Sequence, residues 1–259
     1  GMRIDGKGLI DRTKPVRFRF DGRDYAGYKG DTLASALLAN DVRLVGRSFK
    51  YHRPRGVLTA GSEEPNALVE VVGAKNQTPN VRATVQEVFE GLDCRSQNRL
   101  GSLKYDLMAV NDYLSPFLSA GFYYKTFRWP RAFREGLYEP IIRRAAGLGS
   151  LSGKHDEGVY EKAFAFCDVL VIGSGPAGLM AALTAGRSGA DVILCEESHA
   201  PGGRLLSDSG TIGGIPGAEW AALVVAELTA MANVRIMTRT TVTGAYDHGT
   251  YGALDRVGL

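Results

Sequence analysis

The stretch Asp168-Val-Leu-Val-Ile-Gly-Ser-Gly-Pro-Ala-Gly-Leu-Met-Ala-Ala182 decides the fold, because it reads as strand, tight turn and helix in immediate succession. Val169 to Ile172 is a short, apolar, largely β-branched run, the composition of a strand buried on both faces. Gly173, Gly175 and Gly178 follow at G-x-G-x-x-G spacing. The first glycine allows a sharp turn, the second lets backbone approach a pyrophosphate, and the third lets helix pack on strand. Pro176 and Ala177 open the helix, and Pro176 falls where its missing N–H costs least. The helix N-terminus then offers unpaired N–H groups and about half a positive charge to an anion. Gly189 is expected to end it.

A glycine motif alone is weak, but its surroundings here are those the chemistry requires. A second strand, Asp191 to Cys195, delivers Glu196 and its neighbour Glu197. A carboxylate at that strand end accepts hydrogen bonds from an adenosine ribose and repels a 2′-phosphate, which favours NAD or FAD over NADP. Gly203 and Arg204 then supply a second close backbone approach with a cation beside it. Further on, Glu219 to Ala232 reads as a helix, Val234 to Met237 as a third strand and Val242 to Tyr246 as the start of a fourth. Thr241 lies where such domains bring backbone near the adenine. Cofactor-binding candidates are therefore Gly173, Gly175, Pro176, Ala177, Gly178, Glu196, Glu197, Gly203, Arg204 and Thr241. No nucleophile–base pair is visible, so no catalytic residue is assigned.

The 259 residues carry 31 Lys and Arg against 28 Asp and Glu, a net charge of +3 that does not argue for nucleic acid. No uninterrupted apolar run is long enough to span a bilayer, and no signal sequence opens the chain, which suits a cytoplasmic protein. Gly1 before Met2 reads as an expression-tag scar. Cys94, Cys167 and Cys195 form no C-x-x-C pair, and the four histidines are scattered, so no metal site is expected.

Outside the glycine stretch the chain divides into an N-terminal arm (1–14), a mixed α+β module (15–90), a helical connector (91–165) and a dinucleotide-binding half-domain (166–259) that stops within its fold. In the module, Val16, Phe18 and Phe20 alternate with arginines as in a half-buried strand, and Asp21-Gly22 signals a hairpin. Asp31 and Thr32 can cap a helix whose apolar face is Leu33, Ala36 and Leu37, with Asn40 at its end. Leu68 to Val72 is a further strand, and Val81, Ala83 and Val85 alternate again. Between Val42 and Ser62 the charged residues are all basic (Arg43, Arg47, Lys50, Arg53, Arg55), interleaved with Phe49, Tyr51 and His52. Docking on an acidic partner surface ranks above nucleic-acid binding for that segment. In the connector, Val110 to Phe117 and Phe133 to Leu148 read as helices around the aromatic, basic run Ala120 to Pro130.

The run from Arg47 to Ala67 and the run from Ala120 to Pro130 resemble the N-terminal region of the α subunits of heterotetrameric bacterial sarcosine oxidases. Related modules occur in α subunits of hydrogen cyanide synthase and of opine and proline dehydrogenases. The resemblance implies a ferredoxin-like β-grasp module of the [2Fe–2S] type, followed by a partial Rossmann-type domain. Cluster-binding relatives place cysteines just after the Pro-Arg-Gly element. Here Thr59, Ala60, Ser62 and Glu63 occupy that region, and no cysteine precedes Cys94. Iron held by thiolates needs four of them, so the module is expected to be cluster-free.

The resemblance further implies oxidative demethylation of sarcosine with oxygen to glycine and hydrogen peroxide, with formaldehyde or methylenetetrahydrofolate as the one-carbon product. It places NAD in the α subunit, FAD and FMN on the β subunit, and tetrahydrofolate in a C-terminal domain that this chain lacks. The implied partners are β, γ and δ subunits, with no nucleic acid and no membrane. The motif alone does not separate NAD from FAD; the acidic strand end followed by Gly-Gly leans to FAD, and the choice of NAD rests on the resemblance. Two alternatives stand beside this reading: the α subunit of a related flavin-dependent amino-acid or opine dehydrogenase or hydrogen cyanide synthase-like complex, and a non-catalytic, nucleotide-stabilised assembly subunit.

Overall fold

A computed structural model describes residues 3, 4, 8, 10–73, 77–116 and 160–256. The chain forms two compact units, Gly1–Gly158 and Val159–Leu259.

In the first unit, β1 (Asp11–Phe20) and β2 (Arg23–Lys29) form the expected hairpin, with Val16 opposite Gly27 and Phe20 opposite Arg23. Asp21 and Gly22 take positive φ at its turn, at 49° and 78°. Strand pairing starts at Asp11, earlier than the arm boundary expected at residue 14, because Lys29 returns far enough to pair with Asp11. Helix α1 (Leu33–Ala39) is capped by Thr32, whose hydroxyl accepts from Ser35 N–H while Ser35 reaches back to Thr32 N–H. Asp31 does not cap. It is fully buried, accepts both arms of the Arg3 guanidinium at 3.0 and 2.7 Å, and ties down Tyr28 N–H and the Ser35 hydroxyl. Asn40 closes the helix by donating its amide to Ala26 O and Ala36 O.

The short strands β3 (Gly46–Arg47) and β4 (Pro54–Arg55) pair with each other. Strands β5 (Leu68–Val72), β6 (Gln77–Arg82) and β7 (Leu92–Ser96) complete a five-stranded mixed sheet of order β2-β1-β7-β5-β6. Strand β7 runs parallel to β1 and antiparallel to β5. The sheet thus takes in residues beyond position 90. Leu92, Cys94 and Ser96 are buried while Asp93 is half-buried and Arg95 exposed, an alternation that the charges concealed. Phe18, Phe20, Leu33, Leu37, Val45, Val69 and Leu92 form the core between sheet and helix. Ala83 and Val85 leave the strand for a turn, with Ala83 buried against Ala67. Within the connector, the described part holds a 3-10 turn (Leu107–Ala109) and helix α2 (Val110–Tyr113), shorter than Val110 to Phe117. The expected helix from Phe133 to Leu148 and the run Ala120 to Pro130 lie outside the described residues.

In the second unit, β8 (Val169–Ile172), β9 (Val192–Cys195) and β12 (Val234–Met237) form a parallel sheet of order β12-β9-β8. Helices α3 (Pro176–Arg187) and α4 (Gly217–Ala230) supply the connections, separated by the short pair β10 (Thr211–Ile212) and β11 (Ile215–Pro216). Strand β9 is central and buried at every position, as its apolar run requires. Leu179, Ala182 and Leu183 meet Val192, Leu194, Val224 and Leu228 in a single core. In α4 the buried stripe is Gly217, Ala221, Val224 and Leu228. Leu223 is exposed, and Glu227 instead pairs with Arg187 of α3 at 2.7 Å. Helix α3 stops at Ser188, and Gly189 follows at φ 88°, the left-handed position that ends helices. The expected fourth strand, β13 (Thr240–Tyr246), leaves the parallel sheet and forms a hairpin with β14 (Thr250–Asp255).

Candidate functional site

The glycine turn is built from the end of β8. Gly173 adopts φ 90° and donates its N–H to Cys195 O at 2.8 Å, fastening the turn to the neighbouring strand end. Gly175 is the N-cap of α3, and Pro176 its first residue. A Cβ on Gly178 would lie 1.9 Å from Gly173 O, so no side chain fits there. A Cβ on Gly175 would meet nothing within 4 Å. One glycine is thus required by the fold itself, whereas the other leaves space unfilled over a helix N-terminus.

A second glycine loop closes on the first. Gly202 and Gly203 both take positive φ, at 131° and 54°, and a Cβ on Gly203 would sit 3.1 Å from Gly175 Cα. Gly202 N–H donates to both Ser174 O and Ser174 Oγ at 3.1 Å. Arg204 follows in a short 3-10 turn, its guanidinium exposed and 3.6 Å from Asp208.

Glu196 stands at the end of β9, buried. Its Oε2 accepts Ser174 N–H at 2.8 Å and the Ser174 hydroxyl at 2.5 Å, and its Oε1 accepts Ser198 N–H at 2.9 Å. Its main chain is held on both sides, N–H to Met237 O and O from Thr240 N–H, each at 2.8 Å. The structure therefore joins Gly173, Gly175, Pro176, Gly178, Glu196 and Gly203 in one cradle. Ala177 lies exposed in the first turn of α3, and Glu197 is half-buried, its carbonyl accepting from Arg256 at 2.7 Å. Thr241 pairs with Leu254 in the hairpin, and it is the adjacent, buried Thr240 that touches Glu196. Ser174 and Thr240 were not legible as site residues. Ser174 occupies an unrestricted position of the motif, and Thr240 acts through its backbone.

The first unit holds two further buried carboxylates. Glu64, 1% exposed, gathers the loop that follows the basic segment. Its Oε2 accepts Leu58 N–H at 2.8 Å and Thr59 N–H at 2.6 Å, and its Oε1 accepts Asn66 N–H at 2.8 Å and Ala67 N–H at 3.1 Å. Burial pushes this carboxyl's pKa up, but the four backbone donors outweigh that and hold it below the ordinary range. Asp106 accepts His52 Nδ1 at 2.6 Å, Leu100 N–H at 2.9 Å and Met108 N–H at 3.0 Å. Burial raises its pKa, and those hydrogen bonds bring it below the ordinary value.

Arg47 is buried beside Asp106 and donates to the carbonyls of Leu103, His52 and Lys104. Arg53 pairs with Asp112 at 2.6 Å, and Lys50 and Arg53 flank the Tyr51 ring at 4.9 and 4.8 Å. Much of the basic segment is thus engaged inside its own unit. Among the described residues no group of three His, Cys, Asp or Glu side chains is placed to hold a metal, and no helix is long and apolar enough to cross a membrane.

Each of the two units carries a match to a known family model. Residues 13–99 match the model of a 2Fe-2S iron-sulfur cluster binding domain, and residues 168–214 that of the FAD dependent oxidoreductases. Over 98% of its length the chain is 59% identical to a sarcosine oxidase subunit alpha of Rhizobium meliloti. It is 35% identical over 92% of its length to the subunit alpha of the Corynebacterium sp. (strain U-96) enzyme. The chain spans 26% and 20% of the length of these two curated relatives. The fold is similar to that of L-proline dehydrogenase from P. horikoshii, with a TM-score of 0.54 and 20% identity, over 95% of this chain and 38% of that one.

The cluster that the first match implies needs four thiolates. Of the chain's three cysteines, Cys94 alone falls within residues 13–99. It is fully buried on β7, and burial pushes its thiol up to about 12. The residues present do not fit the group.

Proposed function

We propose that this chain is the N-terminal portion of a sarcosine oxidase α subunit, and that its glycine cradle holds the adenosine half of a dinucleotide. One observation carries the second part. The unfilled space over Gly175 lies at the N-terminus of α3, flanked by the Gly202-Gly203 loop and by a buried carboxylate at the adjoining strand end. The helix N-terminus and loop backbone would take the pyrophosphate, Arg204 would add positive charge, and Glu196 would take the ribose. The 59% identity to the Rhizobium meliloti subunit supports the first part.

The whole enzyme would convert sarcosine, oxygen and water to glycine, formaldehyde and hydrogen peroxide, or pass the one-carbon unit to tetrahydrofolate. Flavins supply the amine oxidation and oxygen reduction when bound, and these are assigned to the β subunit. The residues of this chain bind and orient. It would carry NAD within a complex that includes β, γ and δ subunits in the cytoplasm. The module of residues 13–99 would serve as a cluster-free scaffold.

The match of residues 168–214 to FAD-dependent oxidoreductases favours a second occupant, FAD, in the same cradle. Denaturing the intact complex and identifying the released nucleotides by mass spectrometry, subunit by subunit, separates the two. NAD from this subunit supports the proposal, FAD moves it toward the flavin-dependent dehydrogenases, and neither removes the dinucleotide reading. Sarcosine-dependent oxygen uptake by the complex tests the reaction.

A further inference from the structure

We infer that Ser174 is the residue that sets the ribose specificity of the cradle, by fixing which edge of Glu196 a ligand can reach; the inference rests on the dinucleotide reading above. A carboxylate oxygen offers about two acceptor positions. Both positions of Glu196 Oε2 are taken by Ser174, one by its N–H at 2.8 Å and one by its hydroxyl at 2.5 Å. Oε1 accepts Ser198 N–H at 2.9 Å, which leaves it one position. Glu196 therefore meets ribose through a single oxygen and as a single acceptor, not through both oxygens at once.

Ser174 is fully buried and cannot turn away. Its hydroxyl has one proton, committed to Glu196, and it accepts Gly202 N–H at 3.1 Å. The same side chain thus locks the carboxylate to the first glycine loop and the second loop to the carboxylate. A ribose hydroxyl can donate to the remaining Oε1 position. A 2′-phosphate is largely doubly ionised at neutral pH, so it is mainly an acceptor there and would bring its charge against a carboxylate that cannot rotate aside. Discrimination accordingly depends on the lock as much as on the charge.

The chemical class recognised is an adenosine diphosphate moiety with a free 2′-hydroxyl, common to NAD and FAD. The test uses the full protein stripped of nucleotide and titrated with ADP and with 2′-phospho-ADP. Ser174→Ala is expected to weaken ADP about tenfold, from loss of one hydrogen bond to a charged group. It should also narrow the preference for ADP over the 2′-phosphorylated form by several-fold. A purely structural role would weaken both ligands alike and leave their ratio unchanged, which overturns the inference. Ser174→Cys, with a side chain of similar size and a weaker donor, gives the same reading should the alanine variant not fold. Glu196→Ala separates the two levels of argument. If it collapses the ratio while both Ser174 variants preserve it, the positioning role is wrong and the ribose assignment stands. If Glu196→Ala leaves the ratio intact, the ribose assignment falls and the inference with it; if the wild-type protein binds neither probe, the dinucleotide reading itself falls.

Discussion

The carbonyl oxygen of Gly173 occupies the space where a Cβ on Gly178 would be, at 1.9 Å. Helix α3 therefore approaches strand β8 backbone to backbone, and the turn can exist only while position 178 has no side chain. Gly178→Ala should destabilise the second unit by about 1–3 kcal/mol, the usual range for overpacking a closed site. A drop in melting temperature with loss of bound nucleotide is the expected outcome, and an unchanged melt would refute the close approach.

Gly175 behaves oppositely although it belongs to the same motif. Its φ is −66° and a Cβ there meets nothing within 4 Å. Gly175→Ala should cost no more than about 1 kcal/mol, the scale of replacing a tolerated N-cap residue. Nucleotide binding should nevertheless fall sharply, since the methyl group stands where a pyrophosphate would lie. Differential scanning fluorimetry and nucleotide titration on the same sample separate the two effects.

Acid should weaken the first unit through Glu64 and Asp106. Both carboxyls are held below their ordinary values of 4.5 and 3.8 in the folded chain. A folded-state pKa that is depressed contributes stability above the unfolded pKa and loses it as pH falls through the folded one. Stability contributed by this pair should be full above about pH 5 and decline progressively below pH 4. Glu64→Gln should flatten that decline while lowering the melting temperature at neutral pH. Urea melts at several pH values measure both.

The three thiols should differ in reactivity. Cys94 is buried with its pKa pushed up to about 12, and burial also raises that of the buried Cys195. Cys167 is partly exposed. Alkylation of the native protein near pH 8, followed by peptide mass spectrometry, should label Cys167 first and Cys94 only on unfolding.

Where local pattern and tertiary packing agree, the chain could be read directly. The glycine spacing, the apolar runs of β8 and β9, the Asp21-Gly22 hairpin and the Thr32 and Asn40 caps all appear as the residues suggest. Strand β7 was hidden because Asp93 and Arg95 alternate with its buried residues and its partners β1 and β5 are distant in sequence. The basic run from Arg43 to Arg55 suggested a docking patch. Arg43 has Asp41 beside it, but Asp106 and Asp112, the carboxylate partners of Arg47, His52 and Arg53, lie more than fifty residues away, and no local pattern announces them. At the cradle, the acidic strand end was legible, but the hydroxyl that holds it was not. A serine at a permissive motif position carries no signal until the Gly202 loop is folded against it.

The loop around Glu64 carries a consequence for how the first unit comes into being. Here the negative charge arrives with the polypeptide, from a side chain a few residues from the amides it collects. Donors and acceptor lie within ten residues of one another, so the segment can close as soon as it is synthesised, before any distant strand has found its partner.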